Sequence, residues 1–331
     1  MLLPRRLKFF INYFLGPILF IGIAFSIYRQ IQHQENAVEK WQAIVNSLEG
    51  PNSWRLYLVS VLMLFNWGIE SLKWKVLLSH IIKMPFIQAF RSVMAGVAFT
   101  MITPNRMGEF IGRVFYVPDG NRIRAAALTL VGSVSQLIIT LFAGSIGLLV
   151  LRDYLTDHTS YLQGVSILWL NGLFAGTVFI LVMIVLFYFR ISWLIKIIDK
   201  IPQFSNYAYF VQPLEEVGTR ELAKILLLSC LRYVVFVIQY WLLFKLFNVE
   251  LLTWQLLSLV SVLFLVLAVV PTIALAELGI RSKASIALFS IFSTNTLGIL
   301  VATGAIWLIN IIFPAIAGSL FVLGVKLFGK A

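Results

Sequence analysis

Runs of about 20 apolar residues, long enough to cross a bilayer as a helix, recur along this chain. Uninterrupted runs lie at Phe10–Tyr28, Leu56–Leu78, Ala125–Leu151, Ile167–Phe189, Ala223–Phe247 and Thr296–Phe328. The last contains Pro314, which predicts a kink or a strong tilt. Two further apolar regions, Pro85–Pro118 and Ser258–Phe292, are interrupted. Each has an apolar arm, a break that opens with proline, and a shorter apolar arm. The pattern predicts an all-α polytopic membrane protein with about six full spans plus two hairpins, or eight spans if the interrupted regions are kinked helices.

The two breaks echo each other. The first runs Pro104, Asn105, Arg106, Met107, Gly108, Glu109 and on to Arg113; the second runs from Pro271 through Glu277 and Gly279 to Arg281. Both set a glutamate four residues before an arginine, so the two side chains share a helix face and can pair. Pro104, Gly108, Pro271 and Gly279 are the expected structural breaks, because proline lacks an N–H and glycine loosens the backbone. Freed backbone groups at membrane depth are tolerated only beside protein or a wet cavity. Ionisable groups there are costly, so they are functional candidates. A helix that starts after Pro104 would offer bare N–H groups to a phosphate, with Arg106 alongside. A pair that merely neutralises itself at a helix end is the plainer reading.

Basic residues orient the spans. The N-terminus (Arg5, Arg6, Lys8), the Lys73–Lys83 stretch, Arg122 and Arg124, and the C-terminal Lys326 and Lys330 fall on the cytoplasmic side. The acidic loops at Gln30–Trp54, Arg152–Ser166 and Asn248–Thr253 fall outside. Both interrupted regions then enter and return, from opposite faces. The outcome is an inverted repeat, residues 1–151 against 152–331, each with two spans, a re-entrant or broken hairpin and one span. Arg281 and Lys283 fit this orientation poorly, since it puts them outside or in the interior. Ile191–Phe204 repeats Leu194, Ile197, Ile198 and Ile201 at helical spacing, and residues 190–222 read as a cytoplasmic amphipathic segment. Val38, Trp41, Val45 and Leu48 make a similar stripe outside.

Composition narrows the function classes. Sixty per cent of the 331 residues are apolar and 12% are charged, about half the charge of a soluble domain. Neither of the longest polar stretches, Gln30–Arg55 and Arg190–Lys224, could house a catalytic domain. The net charge of +12 reflects topology, attraction to anionic head groups, or both. Cys230 is the single cysteine, and His33, His80 and His158 are scattered, so neither a metal site nor a cofactor is expected. Arg232 lies well inside its span, where it either snorkels to the surface or faces a cavity and holds a lipid phosphate. For Glu70, snorkelling or a local pair with the lysines that follow is expected. Gln136, Gln239 and Asn310 read as interhelical hydrogen-bonding groups. Trp67, Trp74, Trp193, Trp241 and Trp254 read as interfacial belt residues.

Pro104, Arg106, Gly108, Glu109 and Arg113 follow a Pro-x-Arg-x-Gly-Glu-x-x-x-Arg pattern. In this the chain resembles the transmembrane region of the lysylphosphatidylglycerol synthase/flippase family over nearly its whole length. Pro271, Glu277 and Gly279 look similar to a second family motif, although Gly and Glu stand in a different order. The resemblance implies a multi-pass protein of the bacterial inner membrane, with cytoplasmic termini, that moves or handles lipids. It also implies that aminoacyl transfer belongs to a soluble domain following such a region. The chain stops at Lys330-Ala331, so no enzyme activity is expected.

The leading expectation is a flippase or transporter of an anionic phospholipid or lipid-linked intermediate. Arg106, Arg113, Arg232 and Arg281 would hold the head group, and Glu109 and Glu277 would orient them or exchange protons. The rival is a non-catalytic accessory subunit of a glycosyltransferase or lipid-modifying enzyme. Partners are therefore a membrane lipid, such an enzyme, or a second copy of the chain, and no nucleic acid.

Overall fold

The structure, a computed structural model, describes residues 42, 45–101, 103, 107–157, 167–190, 214–270 and 274–323. Among them the regular elements are all helical. In order they are α1 (Trp54–Leu78), α2 (Phe86–Thr100), α3 (Gly108–Val114), α4 (Arg122–Asp157), α5 (Ile167–Phe189), α6 (Thr219–Leu246), α7 (Thr253–Val269), α8 (Ala274–Phe289), α9 (Thr296–Trp307) and α10 (Phe313–Leu323). The expected span Phe10–Tyr28, Val38 and Trp41, the segment Ile191–Phe204, Lys326 and Lys330, and the break residues Pro104, Arg106 and Pro271 lie outside the described residues.

This is a polytopic all-α membrane protein. By length and composition, α4, α5 and the joined α9–α10 helix are apolar enough to cross a membrane. The 25-residue α1 and the 28-residue α6 are long enough but carry charges along their length. The interrupted regions do break in two, as α2–α3 and α7–α8. In the first, the α2–α3 packing is close. A Cβ on Gly108 would strike Phe99, and one on Gly112 would strike Ala95 and Gly96. Residue numbers rise along α3 as they fall along α2, so the pair is an antiparallel helical hairpin. Only glycine lets the two backbones approach this far.

The helix order is therefore long helix, broken pair, long helix, given twice, and the two sets interlock reciprocally. The opening helices α1 and α6 pack side by side and antiparallel. Arg55 Nη1, near the start of α1, donates to the Lys245 carbonyl near the end of α6 at 3.1 Å. At the other end, His80 Nε2, just past α1, lies 2.8 Å from Glu221 Oε2 in the first turn of α6. Closing helix α4 packs on α7 of the second half, and closing helix α10 packs on α2 of the first. Glycines make both contacts close: Gly144 and Gly147 of α4 face Leu265 and Ser258 of α7, and Gly318 of α10 faces Met94 of α2. The two opening helices thus run in opposite directions, as an inverted repeat requires.

The kink at Pro314 has a specific form. Residues Leu308–Ile312 make a turn of π-helix between α9 and α10. Pro314 has no N–H to give the Asn310 carbonyl four residues earlier. Trp67 Nε1 of α1 donates to that carbonyl instead, at 3.2 Å.

Candidate functional site

The polar residues of α1 recur as Asn66, Glu70 and Lys73, flanked by Trp67 and Trp74. These spacings of three and four put them on one helix face, and that face is buried against α2, α4 and α6. Glu70 lies about 12 Å from the C-terminal end of α1 by helical rise, so a carboxylate cannot snorkel out from there. Its side chain is instead a hub. Oε1 lies 2.7 Å from Arg113 Nη2 of α3. Oε2 lies 2.9 Å from Lys73 Nζ and also accepts from Arg232 Nη1 of α6. Three cations thus converge on one carboxylate that is only 3% exposed.

Each cation has a second set of partners. Arg113 Nη2 also pairs with Glu109, the expected i to i+4 partner within α3. Arg232 Nε donates to Asn66 Oδ1 at 2.7 Å. Lys73 Nζ donates to the Gly132 carbonyl of α4 at 3.1 Å and to Ser229 Oγ of α6 at 3.3 Å. Ser135 and Ser229 are themselves 2.7 Å apart. Two tryptophans floor the cluster. Arg113 stands over the Trp74 ring at 5.5 Å and Arg232 over the Trp67 ring at 5.4 Å, within cation–π range. Trp74 Nε1 donates to Ser92 Oγ, which donates to the Arg113 carbonyl, tying α1 to both arms of the first hairpin.

The second break gives a smaller cluster. Glu277 and Arg281 pair at 2.7 Å along α8, and Arg281 Nη1 donates to Tyr240 of α6 at 3.4 Å. The two clusters border adjoining hollows. The larger, about 530 Å³, has Glu70, Lys73, Glu109 and Arg232 on its walls. The smaller, about 240 Å³, has Glu277, Arg281 and Arg232. Trp67, Gln136, Thr140, Arg232, Leu267 and Ala268 belong to both. Arg232 is therefore the hinge of the site. It lies about 20 Å by helical rise from either end of α6. Across both clusters Lys73, Arg113, Arg232 and Arg281 face Glu70, Glu109 and Glu277, leaving one positive charge in excess among the described residues.

Several expectations change. Glu70 does pair with Lys73, but it reaches two arginines as well and does not snorkel. Lys73 is buried at 1% exposure, so it does not mark a cytoplasmic surface; its ammonium is held inside by Glu70, Gly132 and Ser229. Arg232 faces the cavity rather than the surface. Arg113 sits behind Glu109 and off the cavity wall, its Nη2 shared between two carboxylates, so it positions Glu70 and Glu109 rather than reaching into the hollow. Trp67 and Trp74 are buried platforms under arginines, whereas Trp241 and Trp254 are exposed as a belt requires. Gln239 does bond across helices, donating to the Val59 carbonyl of α1 at 3.0 Å. Asn310 does not: its Nδ2 donates to the Ile306 carbonyl within its own helix, at 3.1 Å. Gly279 is buried inside α8 and is no break. Lys283 is exposed, while Arg281 is largely buried by its pairing.

Sequence reasoning passed over Glu70, Lys73, Trp67 and Trp74 as site residues. The signal that marks them is a spacing of three or four in an otherwise apolar span, from Trp67 to Glu70 and from Glu70 to Lys73 and Trp74. Among the described residues, no group of three His, Cys, Asp or Glu side chains is placed to hold a metal ion.

The family model described as the lysylphosphatidylglycerol synthase TM region matches residues 17–318. No curated protein and no solved structure matches the chain.

Proposed function

As this chain belongs to the lysylphosphatidylglycerol synthase TM region family, we propose that it carries the head group of an anionic lipid across the membrane through the two adjoining hollows. The observation that supports this most is the Glu70 hub. Three cations and a carboxylate buried within the helix set are expensive to assemble, and Glu70, Lys73 and Arg232 among them wall a cavity within the roughly 300–1,000 Å³ range of ligand sites. The excess positive charge suits a phosphate, with Lys73 and Arg232 in the position to hold it and Glu109 beside them. Arg281 lines the route beyond. Glu70 and Arg113 keep these groups in register. We read α2–α3 and α7–α8 as hairpins that enter the bilayer and return, since the seven residues of α3 are far too few to cross it. The reciprocal grip of α4 on α7 and of α10 on α2 gives two bodies that can rock about the site.

The orientation follows the charge. One end of the helix set carries Lys75, Lys83, Arg122, Arg220 and Lys224, which in the inner membrane faces the cytoplasm, together with both chain termini.

Movement of labelled phosphatidylglycerol in proteoliposomes tests the proposal. The native chain is expected to translocate it. Arg232→Gln is expected to slow it by on the order of tenfold or more, while Lys283→Gln, on an exposed position, leaves it unchanged. Equal rates for native and Arg232→Gln protein would contradict the proposal.

A further inference from the structure

Two open grooves lie at the basic end of the helix set, apart from the hollows described above. The first, about 420 Å³, follows the turn between α1 and α2, with Lys75, Ser79, Lys83 and Pro85 in its walls. The second, about 480 Å³, lies between that turn and the stretch after α3, with Lys83, Gln88, Phe115 and Tyr116 in its walls. Lys83 and Met84 belong to both, so the grooves meet there. Met84 is buried and floors the junction, while Lys83 stands out from it. Arg91 of α2 is close by. Its guanidinium lies over the Phe321 ring at 5.9 Å, and Tyr116 Oη donates to the Phe321 carbonyl at 3.1 Å.

The charge at these grooves is one-sided. Lys75, Lys83 and Arg91 are exposed and form no ion pair among the described residues. Neither groove has a carboxylate in its walls. The acids nearest along the chain and across it are already engaged: Asp119 pairs with Arg122 at 2.7 Å, and Glu221 with His80 at 2.8 Å. Basic pockets between helices at a membrane surface recognise anionic head groups. The surroundings favour a lipid over a soluble anion. Phe86 and Ile87 directly follow Pro85 and are 39% and 66% exposed, so an apolar rim continues from the first groove along α2. An amphiphile meets the cations and the rim together, whereas a soluble anion meets only the cations. The pairing of the grooves favours two phosphates over one, since Lys83 stands between two separate spaces.

We propose that the paired grooves bind a lipid carrying two phosphates on a short polyol linker, the chemistry of cardiolipin, from the leaflet at the basic end. One phosphate sits between Lys75 and Lys83. The other sits between Lys83 and the side chains of Gln88 and Tyr116. The turn that forms the grooves joins α1, which carries Glu70, to α2, which packs on α3. A lipid seated there braces that joint from outside the hollows. The site stands whichever head group the hollows take.

The test uses the full chain in phosphatidylcholine nanodiscs, with cardiolipin as the probe and phosphatidylglycerol matched to it in phosphate. Cardiolipin is expected to bind on the order of tenfold more tightly, because its second phosphate is tethered to the first. Lys75→Gln combined with Lys83→Gln should weaken cardiolipin by about fivefold per lysine. Arg220→Gln combined with Lys224→Gln removes the same charge from the same end, at exposed positions off both groove walls, and should leave the affinity within about twofold of native. Equal losses in the two double variants would reduce the site to diffuse attraction and overturn it. A cardiolipin preference that survives Lys75→Gln with Lys83→Gln would move the lipid elsewhere and also overturn it. So would equal binding of cardiolipin and phosphate-matched phosphatidylglycerol by the native chain. The cardiolipin head group without its chains, added in solution, should not displace the lipid; displacement as effective as by whole cardiolipin would make this a site for a soluble anion and contradict the proposal.

Discussion

Replacing the Glu70 carboxylate by an amide leaves Lys73, Arg113 and Arg232 facing one another without their shared anion. Breaking a buried ion network from one side is costlier than deleting it whole, about 3–5 kcal/mol. Glu70→Gln is therefore expected to lower the thermal unfolding temperature sharply. Glu277→Gln, which loosens the smaller Arg281 cluster, should lower it less. Comparing the two variants in one detergent checks this, and equal stabilities would count against Glu70 as the hub. The Glu109–Arg113 and Glu277–Arg281 pairs were legible in the chain, because a spacing of four fixes who can meet whom on a helix. The Glu70 contacts were not, since Arg113 and Arg232 lie 43 and 162 residues away and reach it only through packing of α2, with α3 against it, and of α6 on α1. Trp67 and Trp74 misled for a related reason: a tryptophan in an apolar run looks the same at a bilayer surface and beneath a buried arginine.

At the scale of elements, close approach depends on side chains that are absent. Gly112 of α3 lies against Ala95 and Gly96 of α2, where any Cβ would collide with backbone. Gly112→Val should cost about 1–3 kcal/mol through overpacking and should push α3, with Glu109 and Arg113, away from Glu70. Gly172→Val on α5, where an added Cβ meets nothing, should have little effect. Melting curves of the two variants separate these cases, and equal losses would show that the α2–α3 contact does not hold the cluster. Hydrophobic run length gave most helix bounds to within a few residues, because a bilayer fixes how long a crossing must be. The π turn before Pro314 was legible only as a kink. Its form depends on Trp67 of another helix taking over the Asn310 carbonyl, which no local pattern records.

Across the whole molecule, the repeated order of helices could be read from the chain. The reciprocal exchange of α4 onto α7 and α10 onto α2 could not, because it is written in scattered glycines and in contacts between distant segments. That exchange brings both breaks to one pair of adjoining hollows, with Arg232 on the wall of each. The central claim is that this shared wall receives the head group of an anionic lipid. Locating the phosphorus of a bound phosphatidylglycerol in the full chain, by electron microscopy in a nanodisc, tests it most directly. The account predicts a phosphate between Lys73 and Arg232, within the roughly 4 Å of an ion pair. Phosphates found only at the helix ends, with the hollows taken up by acyl chains, would contradict it.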